Sequence, residues 1–94
     1  MDHLPCVELL ENTHAFPCQY MFKAIGHAGN EFVARVVAAV REELALPADP
    51  PFKVRAAVGG RHLAVTLTPE VQNGEQVLAV YRRVKKTAGL LFLW

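Results

Sequence analysis

Along the stretch F-P-C-Q-Y-M-F-K-A-I-G, from Phe16 to Gly26, the side chains sort onto two faces. Tyr20, Phe22 and Ala24 fall on one face, and Gln19, Met21, Lys23 and Ile25 on the other. A period of two carried by aromatic and β-branched residues predicts a strand, because successive side chains of a pleated chain point to opposite sides. Pro17 stands near its start, where a missing N–H is tolerated, and Gly26 closes it. The period then changes. Val33, Val36, Val37, Val40 and Leu44 form a helical stripe, with Arg35, Arg41, Glu42 and Glu43 facing away. The expected helix runs from about Glu31 to Ala45, with Asn30 as N-cap, and stops before Pro47 because the residue preceding a proline leaves the helical region.

After the stiff P-A-D-P-P loop, Phe52, Val54, Ala56 and Val58 alternate with Lys53, Arg55 and Ala57, the pattern of a half-buried strand. Gly59-Gly60 predicts a two-residue hairpin, since both residues accept positive φ without a steric cost. Leu63, Val65 and Leu67 alternate with His62, Ala64, Thr66 and Thr68 in the returning strand, which Pro69 ends. Asn73 caps a second helix with the stripe Val77, Val80, Tyr81, Val84 and Ala88, and Gly89 stops it. Leu90 to Trp94 is a last, wholly apolar strand. Residues 1–15 read as an N-terminal extension, with a short helix or turn around Cys6 to Glu11 offering Leu4, Val7, Leu9 and Leu10 as its apolar side.

The order strand, helix, strand, strand, helix, strand is the split βαβ arrangement. It predicts an α+β domain over residues 1–94, with two helices on one face of a four-stranded antiparallel sheet. Right-handed crossovers place the first and third strands side by side at the centre. The expected core is Tyr20, Phe22, Val36, Val40, Val54, Leu63, Val65, Leu67, Val77 and Tyr81.

The totals narrow the function classes. A chain of 94 residues can build one core without staples. A formal net charge of +1 supplies no whole-chain field towards nucleic acid or an acidic membrane. No run of apolar residues is long enough for a membrane span, and the N-terminus lacks the basic start of a secretory signal. Two cysteines do not make a disulfide scaffold, so a reduced, cytoplasmic protein is expected.

The segment V-E-L-L-E-N, the F-P-led first strand ending K-A-I-G, E-F-V-A-R-V-V-A-A-V and H-L-A-V-T-L-T together resemble the YbeD-like family of small bacterial proteins of unknown function. The likeness extends from about Val7 to Trp94. It implies a ferredoxin-like fold akin to the ACT-type regulatory domains of metabolic enzymes. It implies no activity and no catalytic residues.

Motifs for chemistry are sparse. His3, Cys6, His14 and Cys18 are zinc-binding residue types, but the loop between the pairs is short for a zinc finger, and a free cysteine is usually a small buried hydrophobe. The loop after the first strand, G-H-A-G-N, has neither the cysteines of a copper carrier nor the arginine of an acylphosphatase. No phosphate-binding glycine motif occurs. We therefore expect no enzyme, no cofactor and no metal.

RNA-recognition domains share this strand order and stack bases on aromatics of the two central strands. Here the outer face is expected to carry Met21, Lys23, Ile25, His62, Ala64 and Thr66 with Lys53 and Arg55 beside it, so cations without a stacking platform. Arg82, Arg83, Lys85 and Lys86 add a basic patch on the second helix, where cations also suit a helix C-terminus. Five consecutive apolar residues at Leu90–Trp94 cannot all face one core, so part of that strand is expected at a protein–protein surface. The candidate interaction surface is Met21, Lys23, Ile25, Lys53, Arg55, His62, Phe92 and Trp94. The expected occupant is a protein partner, a second copy or a small-molecule ligand. An RNA-binding domain using the basic sheet face and second helix ranks behind these.

Overall fold

A computed structural model describes residues 6–57 and 59–94. His3 and Leu4 of the expected zinc set and N-terminal apolar turn, and Val58 of the expected hairpin strand, lie outside the described residues. The element order is α1 (Val7–Thr13), β1 (Cys18–Gln19), β2 (Phe22–His27), α2 (Phe32–Glu43), β3 (Phe52–Ala56), β4 (His62–Leu67), β5 (Glu70–Val71), α3 (Gly74–Val84) and β6 (Leu90–Leu93). The main sheet is antiparallel with strand order β3-β4-β2-β6. The first long strand therefore lies beside the third at the centre, as the crossover rule demands. This is the ferredoxin-like split βαβ fold.

The strand expected over Phe16–Gly26 is interrupted. β1 pairs with β5, and β2 with β4, in one continuous register from Cys18↔Val71 to His27↔His62. The gap falls opposite Pro69. That residue accepts from the Tyr20 N–H at 3.0 Å but has no N–H to return, so the ladder breaks for one step and resumes. Pro69 thus divides the strand that follows the hairpin rather than ending the pairing.

Helix termini follow three different solutions. Asn73 caps α3 as expected, its side-chain oxygen accepting from the Gln76 N–H at 2.9 Å, and Gln76 reaches back to the Gln72 N–H at 2.8 Å. The Gly74 N–H is taken by Glu11 of α1 at 3.2 Å, a bond joining residues 63 positions apart. Asn30 does not cap α2. Asn30 and Glu31 both take the left-handed conformation, with φ of 51° and 55°, and no side chain caps that end. At the other end of α2, Leu46 N–H reaches Arg41 O at 2.9 Å and Ala45 N–H reaches Glu42 O at 3.2 Å, a Schellman closure with Ala45 at φ 52°.

The core lies between the helices and the β2–β4 centre of the sheet. Phe22, Ala24, Val65 and Leu67 meet Phe32, Val36, Val37 and Val40 of α2 and Val77, Val80, Tyr81 and Val84 of α3. Phe22 and Tyr81 touch edge-on with ring centroids 5.1 Å apart, and Tyr20 lies 5.0 Å from Phe22. Burial pushes the Tyr81 hydroxyl pKa up, and the hydrogen bond and charge of Tyr20 add to the shift. Glu42 of α2 joins Arg83 of α3 at 2.7 Å across the solvent side of the helix pair.

Two expected core residues, Tyr20 and Leu63, are only partly buried, and Val54 is 45% exposed. All of β3 is exposed, because it is the outer strand and the helices cover the sheet only as far as β4. α3 ends at Val84, before Ala88, and Gly89 (φ 87°) serves the turn into β6 instead. The hairpin loop is longer than two residues: Ala57 N–H still pairs with His62 O, and Gly60 N–H reaches Ala57 O at 2.9 Å within the turn. Leu10 and Phe32, absent from the expected core, are buried in it.

Candidate functional site: the open sheet face

Strand alternation and register determine which side chains stand on the face that the helices leave open. Phe22, Ala24 and Gly26 point inward, so Lys23, Ile25 and His27 point out. Their partners across β4 are Thr66, Ala64 and His62. β3 adds Lys53 opposite Thr66 and Arg55 opposite Ala64. β6 adds Phe92 opposite Ile25. Trp94 continues that ladder, exchanging backbone hydrogen bonds with Lys23 at 2.5 and 2.8 Å.

The result is a grid. One row runs Trp94, Lys23, Thr66, Lys53; the next runs Phe92, Ile25, Ala64, Arg55; the third holds His27 and His62, with ring centroids 5.4 Å apart. Each of the first two rows passes from an aromatic on the β6 edge to a cation on the β3 edge, and no acidic side chain stands in either. Trp94 is 53% and Phe92 63% exposed, their rings 6.5 Å apart and nearly perpendicular. The Lys23 ammonium sits 5.6 Å from the centroid of Trp94, within cation–π range. Met21, just before β2, is 62% exposed.

All eight residues expected at the interaction surface are exposed or half-buried, and seven occupy this grid, with Met21 just outside β2. The two central strands put no Phe, Tyr or Trp on this face; its large rings come from the β6 edge. β6 pairs with β2 at a bulge, where Ile25 faces Phe92 but Gly26 faces Leu90, leaving Leu91 as the extra residue. That shift sends Leu90 and Leu93 towards the core and puts Phe92 and Trp94 on the open face. Trp94 therefore does not fold back onto the core. His27, read from sequence as a loop residue, belongs to β2 and pairs with His62. The alternation of the strand continued one residue past Gly26, and that was the signal for it.

A depression of about 150 Å³ lies on the open face among Ile25, Arg55, Ala57, His62 and Ala64. Of the expected zinc set, Cys6 is the exposed N-cap of α1, Cys18 sits in the β1 ladder, and His14 packs edge-on against Tyr20 at 5.1 Å. Among the described residues no three His, Cys, Asp or Glu side chains converge in a way that could hold a metal ion. Among them, too, no helix is long and apolar enough to cross a membrane.

A sheet of this topology with one face under two helices and the other open defines a small α+β domain of the ferredoxin-like class. A family described as "Protein of unknown function (DUF493)" matches residues 11–93. The chain belongs to this family, the YbeD-like group of small bacterial proteins of unknown function. A UPF0250 protein of Shewanella woodyi is 34% identical over 74 residues, covering 79% of this chain and 77% of the relative. One from Shewanella oneidensis is 30% identical over 83 residues, covering 88% of each. One from Buchnera aphidicola of Schizaphis graminum is 30% identical over 71 residues, covering 76% of this chain and 79% of the relative.

Proposed function

We propose that this protein is a binding module with no catalytic step of its own, acting on a partner protein through its open sheet face in the manner of a regulatory domain. The observation that carries the reading is the grid of exposed aromatics and cations without an acidic side chain. Exposed aromatics beside a satisfied backbone are the composition of an interface centre rather than of a solvated face. A small ligand fits this surface poorly. The depression on it holds about 150 Å³, below the few hundred cubic ångströms that a typical ligand pocket encloses.

RNA is the second reading, and Phe92 and Trp94 beside Lys23 are the observation in its favour, since bases stack on such rings. Against it, the two central strands offer Lys23, Ile25, Ala64 and Thr66 on this face, with no ring to stack on. A photoreactive residue placed at Phe92 should crosslink a protein from cell extract, and one placed at Glu75 on the exposed side of α3 should not capture the same species. Crosslinking from Glu75 but not Phe92 would sink the proposal. Binding of single-stranded RNA that weakens steeply with salt and disappears with Trp94→Ser would replace it by the RNA reading.

A further inference from the structure

β3 is an outer strand whose far edge is free. Thr68 N–H donates to Pro51 O and Ala57 N–H to His62 O, which marks the odd-numbered residues of this strand as the ones bonded to β4. In an antiparallel ladder the alternate residues point their backbone groups the other way. The N–H and C=O of Phe52, Val54 and Ala56 therefore aim outward, unused by the sheet. The side chains of those three residues face the helix side, where Phe52 is 42% exposed. There Phe52 lines a groove of about 740 Å³ between the strand and α2, with Phe32, Val33, Val37 and Leu63 on its walls. Glu31 and the ion-paired Arg41 and Asp49 also line it. The other face of the strand carries Lys53 and Arg55, neither in an ion pair among the described residues.

We propose that this edge receives an extended segment of another protein in which apolar residues alternate with aspartate or glutamate, added as a fifth strand beside β3. Three features specify the occupant independently. The free backbone groups demand an extended chain. The groove demands apolar side chains on the helix side, where Glu31 would repel acidic ones and Arg41 is already paired with Asp49. Lys53 and Arg55 demand acidic side chains on the open side.

A second copy of this chain does not meet these demands. The face-aligned antiparallel registers centred on Lys53, Val54 or Arg55 all set Lys53 or Arg55 opposite the copy's own Lys53 or Arg55. Natural edges use such charges to refuse self-pairing. The inference goes beyond the open-face reading, because the added strand occupies an edge and a groove that the reading does not use, while Lys53 and Arg55 serve both.

The test is a dye-labelled, capped heptapeptide of alternating valine and glutamate, compared by fluorescence anisotropy with its valine/lysine counterpart. The valine/glutamate peptide should bind at least about tenfold tighter, a ratio expected of charges facing like or unlike charges at two positions. In the unmodified chain, amide exchange at Phe52, Val54 and Ala56 should slow when it binds. Lys53→Glu with Arg55→Glu should reverse the preference. Val54→Pro removes one outward N–H and leaves the β4 ladder intact, and should weaken binding about tenfold. Circular dichroism reports whether each variant folds, and the amide exchange and charge reversal stand if the proline variant does not.

Equal binding of the two peptides, no binding of either, or unchanged exchange at the three edge amides overturns the proposal. So does a concentration-dependent dimer abolished by Val54→Pro. A shift of Trp94 emission on peptide binding with the edge amides unprotected overturns it too, while leaving the open face as a binding surface.

Discussion

Gly26→Ala tests how tightly the bulge between β2 and β6 is built. A Cβ placed there would lie 2.4 Å from both Cε1 and Cζ of Phe32 and 2.7 Å from the carbonyl oxygen of Gly89. Carbon atoms rest about 3.5–4.0 Å apart, so the ring would have to retreat by about 1 Å. Phe32 is buried, and the Gly89 carbonyl is held by the His27 N–H at 2.9 Å. Neither is free to yield. Overpacking costs about 1–3 kcal/mol, and removing a flexible glycine from a strand returns about 0.5–1 kcal/mol. With three contacts, one of them to backbone, the net loss should fall near the upper end, about 2–3 kcal/mol. For a domain of this size that lowers Tm by roughly 8–24 °C. Urea and thermal unfolding of Gly26→Ala, Phe32→Leu and the double variant form the assay. Leucine ends before the ring atoms that collide, so the double variant should recover about 1 kcal/mol or more relative to additivity. A Gly26→Ala protein within about 0.5 kcal/mol of the parent, or strictly additive variants, would refute the reasoning.

Ala45→Gly should stabilise the protein by about 1 kcal/mol, because a left-handed residue at a helix terminus costs alanine what glycine does not pay, and a lower urea midpoint would contradict this. Tyr81 is held protonated above its ordinary pKa of 10.0, so the native state keeps a proton that the unfolded chain releases. That stabilisation is fully present below pH 10 and declines as the pH rises beyond it; Tyr81→Phe should unfold with a visibly flatter alkaline dependence in urea titrations. Trp94, the sole tryptophan, should emit at long wavelength in dilute protein and be readily quenched by iodide, and a blue-shifted, shielded emission would show that it is not on the open face.

Periodicity carried most of the fold. The switch from a period of two at Tyr20–Ala24 to the stripe Val33–Val40 and back located both helices and all four main strands. What it could not convey was position within the sheet. Val54 alternates as cleanly as Val65, yet one is exposed and the other fully buried, because β3 lies outside the reach of the helices. Pro50, Pro51, Lys53 and Arg55 were the legible marks of an outer strand. Asn30 has the composition of a cap, but the left-handed turn at Asn30–Glu31 is a product of how the chain crosses from β2 to α2. Six of the eight surface residues were legible from alternation, and Phe92 and Trp94 from the rule that an unbroken apolar run cannot face one core throughout. Their arrangement in rows was not, since it depends on a one-residue bulge in an unbroken apolar run that offers no polar position to fix its register.

The grid gives the molecule a local field that its net charge of +1 conceals. On the helices and the loops beside them Glu8, Glu11, Glu31, Glu42, Glu43, Asp49 and Glu75 are interleaved with Arg35, Arg41, Arg82, Arg83, Lys85 and Lys86 and nearly cancel, whereas Lys23, Lys53 and Arg55 stand on the broad open face with no acidic side chain in their rows. An approaching acidic surface would feel those three cations together, at distances of about 10 Å where no contact has yet formed. Capture rate would then fall with ionic strength far more than the lifetime of the complex, and the protein would hold to a cation-exchange column more firmly than its overall charge suggests.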